Sequence, residues 1–275
     1  MGDTHIQWTD KTWNCVRGCS KVSEGCRNCY AMTVAHRFSG PGLPYEGLAH
    51  KVNGKPEWTN VVREVPEKLA EPLSWRKPCR VFVNSMSDLF HWQVSVTFID
   101  QVWEVMAQCP QHVFQILTKR PTRMRNVVDH LLPCGILENV WLGVSVEDQK
   151  TADERIPLLL QTPAAVRFLS CEPILGPVDL TRFIADFELG RGERGNLHWV
   201  IAGGESGPGA RPMDLDWLRC LRDQCREANA PIFVKQLGTV LAKELGMSDC
   251  KGGRIEEFPR DLRIREFPTQ GGHHV

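Results

Sequence analysis

The sequence has no excess of either charge. Its 275 residues include 33 Lys and Arg against 33 Asp and Glu, so the formal charge is zero. That excludes a uniformly basic nucleic-acid coat and leaves only a local basic patch open. Long apolar runs are missing too: no segment approaches the roughly 20 residues needed to span a bilayer, so no membrane partner is expected. The opening residues, Met1 to Ile6, show no basic leader followed by an apolar stretch, which argues against a secretory signal. Gly2 stands as in an N-myristoylation site, but Ile6 occupies the place where Ser or Thr is required. There is no low-complexity segment. The 11 cysteines, without a leader, point to a reducing cytoplasm in which thiols serve metal binding or core packing. Hydrophobic content of 42% is ordinary for a globular chain long enough for one large domain or two smaller ones.

The residues that are present change character along the chain. Residues 4–13 hold Ile6, Trp8 and Trp13 and are read as a first strand. Ser39-Gly40-Pro41-Gly42-Leu43-Pro44 breaks the structure, and Pro56, Pro66, Pro72 and Pro78 interrupt the next stretch. Residues 40–79 therefore read as an insertion, with short helices near Val61–Val65 and Glu67–Trp75. From residue 80 short apolar runs recur, starting near 81, 114, 140, 167, 199 and 232. Being short, β-branched and without strict alternation, they fit strands buried on both faces of a parallel sheet. Apolar residues at helical spacing lie between them, such as Phe98, Val102, Val105, Met106 and Cys109. The expected fold class is α/β: a full or partial (β/α) barrel over residues 1–240, followed by a C-terminal extension over 241–275. In that tail Leu262 and Ile264 alternate with arginines, which suggests a short edge strand, and residues 270–275 are expected to fray.

The most distinctive stretch runs from Cys15 to Tyr30. Cys19, Cys26 and Cys29 read C-x6-C-x2-C, and Cys15 lies just upstream. Three thiolates from one loop suit zinc or an iron–sulfur cluster, and the spacing does not choose between them. The loop leads into a helix patterned by Tyr30, Ala31, Val34, Ala35 and Phe38, whose N-terminal amides favour an anionic partner. In β/α folds, function gathers where strands end. Those ends carry Asn84, Ser85, Ser87, Asp88, Ser145, Glu147, Cys171, Glu172, Glu205 and Lys235. Lys119, Arg120, Arg123 and Arg125 form the densest basic cluster, a candidate phosphate contact in Lys119, Arg120 and Arg123. Cys171, at a strand end, is a candidate catalytic thiol, set against the commoner role of a small buried thiol.

These motifs, together with Leu117-Thr118-Lys119-Arg120-Pro121, Gly143-Val144-Ser145-Val146-Glu147 and Gly203-Gly204-Glu205-Ser206-Gly207, occur in series over nearly the whole chain. In this the sequence resembles the radical S-adenosylmethionine superfamily, and more closely a phage-encoded branch of it. The departures are plain: the superfamily's usual C-x3-C-x2-C is here C-x6-C-x2-C, and Asn28 rather than an aromatic residue precedes Cys29. The resemblance implies a [4Fe–4S] cluster on Cys19, Cys26 and Cys29, with Cys15 outside it. It also implies S-adenosyl-L-methionine bound by Asn84, Ser85, Ser87 and Asp88 on one side and by Ser145 and Glu147 on another. The implied chemistry is one-electron cleavage of that cofactor to a 5′-deoxyadenosyl radical, with electrons from an external donor such as flavodoxin or ferredoxin. The expected substrate is DNA: a radical isomerisation of a modified thymidine during hypermodification of phage DNA, in the host cytoplasm. Two alternatives stay open. One keeps the radical chemistry and changes the target to tRNA, a peptide or a small metabolite. The other is a non-enzymatic, zinc-stabilised nucleic-acid-binding protein, with Cys15 as the fourth thiolate.

Overall fold

The computed structural model describes residues 4–184 and 197–268, apart from the side chain of Cys134. Gly2 and the segment 270–275 lie outside the described residues. The chain divides into two compact units, Met1–Leu142 with Pro163–Ala165, and Gly143–Thr162 with Val166–Val275.

In the first unit the chain runs through β1 (Lys11–Trp13), β2 (Val16–Arg17), α1 (Tyr30–Arg37), β3 (Ala49–Val52), β4 (Lys55–Trp58) and β5 (Arg63–Glu64). It continues with β6 (Arg80–Val83), α2 (Val96–Ala107), β7 (Val113–Thr118) and α3 (Pro121–Leu131). The strand β8 (Val140–Ser145) leads into the second unit, which holds α4 (Gln149–Gln161), β9 (Val166–Cys171), β10 (Trp199–Gly203), α5 (Leu215–Glu227), β11 (Ile232–Gln236) and α6 (Thr239–Glu244). Seven strands form one parallel sheet in the order β1-β6-β7-β8-β9-β10-β11. This is the expected α/β architecture, a partial (β/α) barrel. All six residues of β8 are buried, as a strand covered on both faces must be.

Local sequence explains the helix starts. The Ser95 hydroxyl accepts the Phe98 N–H at 3.1 Å and caps α2. Pro121 opens α3, where its missing N–H costs nothing. Asp148 and Thr151 form a reciprocal capping box on α4. The first unit buries Trp13, Phe90, Phe114, Ile99, Met106 and Ile116; the second buries Trp199, Phe168, Phe233 and Phe258. Each such side chain contributes roughly 1.5–3 kcal/mol by leaving water.

The insertion differs from expectation. Residues 63–64 form β5, paired antiparallel with β2, rather than a helix. Residues 66–68 and 72–74 are single 3-10 turns, each begun by a proline. β3 and β4 form a two-stranded hairpin turned by Asn53 (φ 49°) and Gly54 (φ 77°), the pair of positive φ values that a type I′ turn requires. In the tail the expected edge strand reduces to one antiparallel bridge, Arg265 to Phe233 on β11, preceded by two 3-10 turns. No helix among the described residues is long and apolar enough to cross a membrane.

Candidate metal centre

The cysteine loop leaves the C-terminal end of β1 and is stitched to the loop after β6. The Asn84 N–H donates to the Trp13 carbonyl at 2.8 Å, and the Asn84 Oδ1 accepts the Val16 N–H at 3.0 Å. The Ser87 hydroxyl donates to the Val16 carbonyl at 2.8 Å, and Gly18 bridges Ser87 in parallel. Asn14 accepts from both the Ser85 hydroxyl and the Met86 N–H. Tyr30, the first residue of α1, donates its phenol to the Ser85 carbonyl at 2.7 Å. Asn84, Ser85 and Ser87 are thus brought beside the loop. One group in this seam is unspent: Asn84 Nδ2 is buried without a hydrogen-bond partner. Gly18 is required, because a Cβ there would meet the Val61 carbonyl oxygen at 2.2 Å, and φ is +86°.

The four thiols separate into two kinds. Cys15 is fully buried, its thiol donates to Asn84 at 3.7 Å, and burial pushes its pKa up to about 12. Cys19, Cys26 and Cys29 are only partly covered. Desolvation, then the charge of Asp88, pushes Cys19 up to about 12, while the Arg120 guanidinium pulls the other way. Cys29, which caps α1, is raised by burial, and the Ala31 and Met32 amides partly offset this. The Val22 N–H points to the Cys26 sulfur at 3.5 Å. Cys19 and Cys29 pack on an apolar cluster of Ala31, Met32, Ala35, Tyr45, Leu48, Ala49, Trp58 and Met86, so the insertion's hairpin dries one side of the loop.

Among the described residues no group of three or more His, Cys, Asp or Glu could hold one metal ion. Thiolates on a single zinc lie about 4 Å apart, given Zn–S bonds near 2.3 Å. A four-iron cluster takes each thiolate on a separate corner, so its ligands stand farther apart. Three partly covered thiols, helix amides beside one of them and an apolar flank fit such a group by donor chemistry. Cys15 does not fit as a fourth thiolate, since its sulfur faces the interior.

Asp88 is buried and occupied. It accepts from the Thr118 hydroxyl at 2.8 Å, from the Phe90 and Lys119 amides and from Arg120 Nη1 at 2.7 Å. Arg120 then reaches the Ser20 carbonyl and hydroxyl, both at 2.9 Å, next to Cys19. His91 completes the clamp: its Nδ1 accepts the Gln93 N–H at 3.2 Å, so the neutral ring carries its proton on Nε2, which meets the Ser20 hydroxyl at 2.8 Å. Burial, with Arg120 adding to it, lowers the His91 pKa to about 4. Asp88 therefore acts on the loop through Arg120 rather than as a free carboxylate. Ser20, His91 and Asn14 carry no sequence signal of this role, because each depends on a partner tens of residues away.

Two arginines of the basic cluster are engaged within the fold. Arg120 is committed to Asp88 and Ser20, and Arg123 donates to the Trp92 and Val94 carbonyls. Lys119 contributes its backbone N–H to Asp88.

In the second unit, Glu147 is 1% exposed and pairs with Arg155, which also donates to the Ser145 carbonyl at 2.7 Å. Glu172 takes the Lys235 ammonium on both oxygens at 2.7 and 2.8 Å, and Glu205 takes Arg211. The Gly203-Gly204 pair serves packing: a Cβ on Gly204 would meet the Leu237 carbonyl at 2.3 Å. Cys171 is fully buried, and desolvation raises its pKa strongly. The structure thus places this thiol in the core of the second unit.

Fold and site together define a partial (β/α) barrel protein with a thiol-bearing loop at the C-terminal end of its first sheet strand. The chain belongs to the DUF5131 family, described as proteins of unknown function, whose family model matches residues 3–261. Comparisons with curated proteins and with solved structures returned no match.

Proposed function

We propose that the protein is a radical S-adenosylmethionine enzyme holding a [4Fe–4S] cluster on Cys19, Cys26 and Cys29. The observation that carries this reading is the division of the cysteines: three partly covered residues on a loop between β1 and α1, with Cys15 fully buried. When bound, the cluster supplies the electron that cleaves S-adenosyl-L-methionine and yields the 5′-deoxyadenosyl radical. The chain's own part is positional. Arg120, held by Asp88, fixes Ser20 and so the backbone beside Cys19. The amides that open α1 favour negative charge at Cys29. The hairpin and α1 keep water from one flank. The unspent Asn84 amide, in the loop that the superfamily resemblance gives to the cofactor, is a donor for its methionyl end.

For the substrate we propose a modified thymidine in phage DNA, rearranged at a group carried on the thymine 5-position, with flavodoxin or ferredoxin as electron donor in the host cytoplasm. The test is anaerobic purification with iron, sulfide and zinc analysis, then dithionite reduction with S-adenosylmethionine. About four irons per chain and formation of 5′-deoxyadenosine support the enzyme. Zinc alone, with no cofactor cleavage after iron reconstitution, would overturn it. Turnover of tRNA, a peptide or a metabolite instead of modified DNA would keep the chemistry and replace the substrate.

A further inference from the structure

Beside the cysteine loop, and not part of it, lies a cavity of about 440 Å³ along β1, the end strand of the sheet. This volume falls within the range of small-molecule sites, roughly 300–1,000 Å³. Its charged lining is Lys11, Arg17, Lys68 and Glu71, an excess of cations in a chain whose net charge is zero. Its aromatic lining is Tyr45 and Trp75, and each ring already attracts a cation. The Lys11 ammonium lies 5.6 Å from the Trp75 ring centre, and the Arg17 guanidinium 5.9 Å from that of Tyr45. Lys68 is steadied by an ion pair with Glu71. Arg17 donates to the Pro44 carbonyl, and a guanidinium has five donors in all. Asn14 lines the same space while its side-chain oxygen holds the loop after β6.

Cations set against aromatic faces suit a ligand with both a planar ring and an anionic group. Guanidinium and aromatic planes stack bases, and Lys and Arg hold phosphate by charge-assisted hydrogen bonds. A carboxylate in the same wall accepts from a sugar hydroxyl or an exocyclic amine. We propose that this cavity is a nucleotide-binding site, in which Arg17, Lys11 and Lys68 take the phosphate and Tyr45 and Trp75 border the base. The proposal goes beyond the radical reading and does not depend on a cluster in the loop.

The test is isothermal titration of the full chain, without iron, with adenosine and thymidine 5′-monophosphates, and with adenosine, thymidine and inorganic phosphate as controls. The expected result is one saturable site per chain, at least about tenfold tighter for a monophosphate than for its nucleoside or for phosphate. Arg17→Gln and Lys68→Gln should each weaken it by about tenfold, and Trp75→Leu should weaken the monophosphates while leaving phosphate unchanged. Both basic residues are partly exposed, so if one variant misfolds the other carries the test, with circular dichroism as the check. Absence of binding, equal binding of phosphate alone, or indifference to both basic substitutions would overturn the proposal. Competition by a short single-stranded DNA would identify the nucleotide as part of a strand; its absence would identify a free nucleotide. Since iron is left out, any of these failures leaves the cluster test untouched.

Discussion

Both units place acidic side chains where strands of the parallel sheet end, and use them differently. In the second unit each carboxylate closes on its own cation: Glu147 on Arg155, Glu172 on Lys235 and Glu205 on Arg211. In the first, the cation paired with Asp88 continues outward, and Arg120 clamps Ser20 beside Cys19. Glu147–Arg155 and Asp88–Arg120 are both largely buried, so breaking either leaves a charge without its partner. Only the second holds a loop with partly covered thiols. An ion pair at a strand end can thus be a structural fastening or a clamp on a neighbouring loop.

The sharpest way to break this comparison is at the thiols. Cys19→Ala, Cys26→Ala and Cys29→Ala should each abolish iron retention and cofactor cleavage, measured by iron content and 5′-deoxyadenosine. Cys15→Ala and Cys171→Ala should keep both and lose only about 1 kcal/mol of stability in denaturant unfolding. Iron loss in Cys15→Ala, matched by retention in Cys19→Ala, would reverse the assignment. Next in size are the carboxylates. Asp88→Asn and Glu147→Gln should each cost about 3–5 kcal/mol by stranding a buried arginine. Asp88→Asn alone should also lower iron occupancy; equal iron in both would erase the distinction between the two units. Glycine contacts come third. Gly143→Ala would press a Cβ to 2.5 Å from the Phe168 ring, for about 1–3 kcal/mol measured as a lower melting temperature. Gly18→Ala should be comparable in stability and should displace the cysteine loop as well, lowering iron uptake.

The most gradual effect is a pH dependence. His91 faces Arg120, Asp88 and Arg123, and its pKa falls from 6.5 to about 4 in the folded protein. Below pH 6.5 the unfolded chain takes up a proton that the native ring refuses, so stability should decline as pH drops toward 4. Within that window the loss is about 1.4 kcal/mol per pH unit, and His91→Gln should flatten that part of the stability–pH curve. A loop that loosens as His91 is protonated would also lose iron over the same window.

The sheet was readable from sequence because its strands, buried on both faces, need continuous β-branched runs, and all six runs beyond residue 80 became strands. So was the cysteine loop, since one short stretch supplies its thiols. The hairpin β3–β4 had a signal in Asn53-Gly54, masked by the surrounding prolines. The lysine and arginines after β7 read as a basic cluster, and composition shows charge and not direction; in the fold Arg120 donates to Asp88 and Arg123 to the Val94 carbonyl. Glu147 and Asp88 read alike as strand-end carboxylates, and only three-dimensional neighbours tell them apart. The ring of His91 could not be placed at Ser20 at all, since 71 residues separate them.

The short tail on β11 has a consequence for association between molecules. An open sheet ends in strands whose unused backbone groups invite pairing with another chain. Here the Val234 N–H reaches the Ile264 carbonyl, the Glu266 N–H reaches the Ile232 carbonyl, and the Arg265 guanidinium covers the Phe233 ring at 5.3 Å. A chain cut before Phe258 would bare that edge together with two aromatic faces, Trp199 and Phe233, against which Phe267 now rests. Such a chain is expected to sediment as oligomers while keeping its thiol loop, so that the segment farthest in sequence from that loop governs whether the protein stays dispersed.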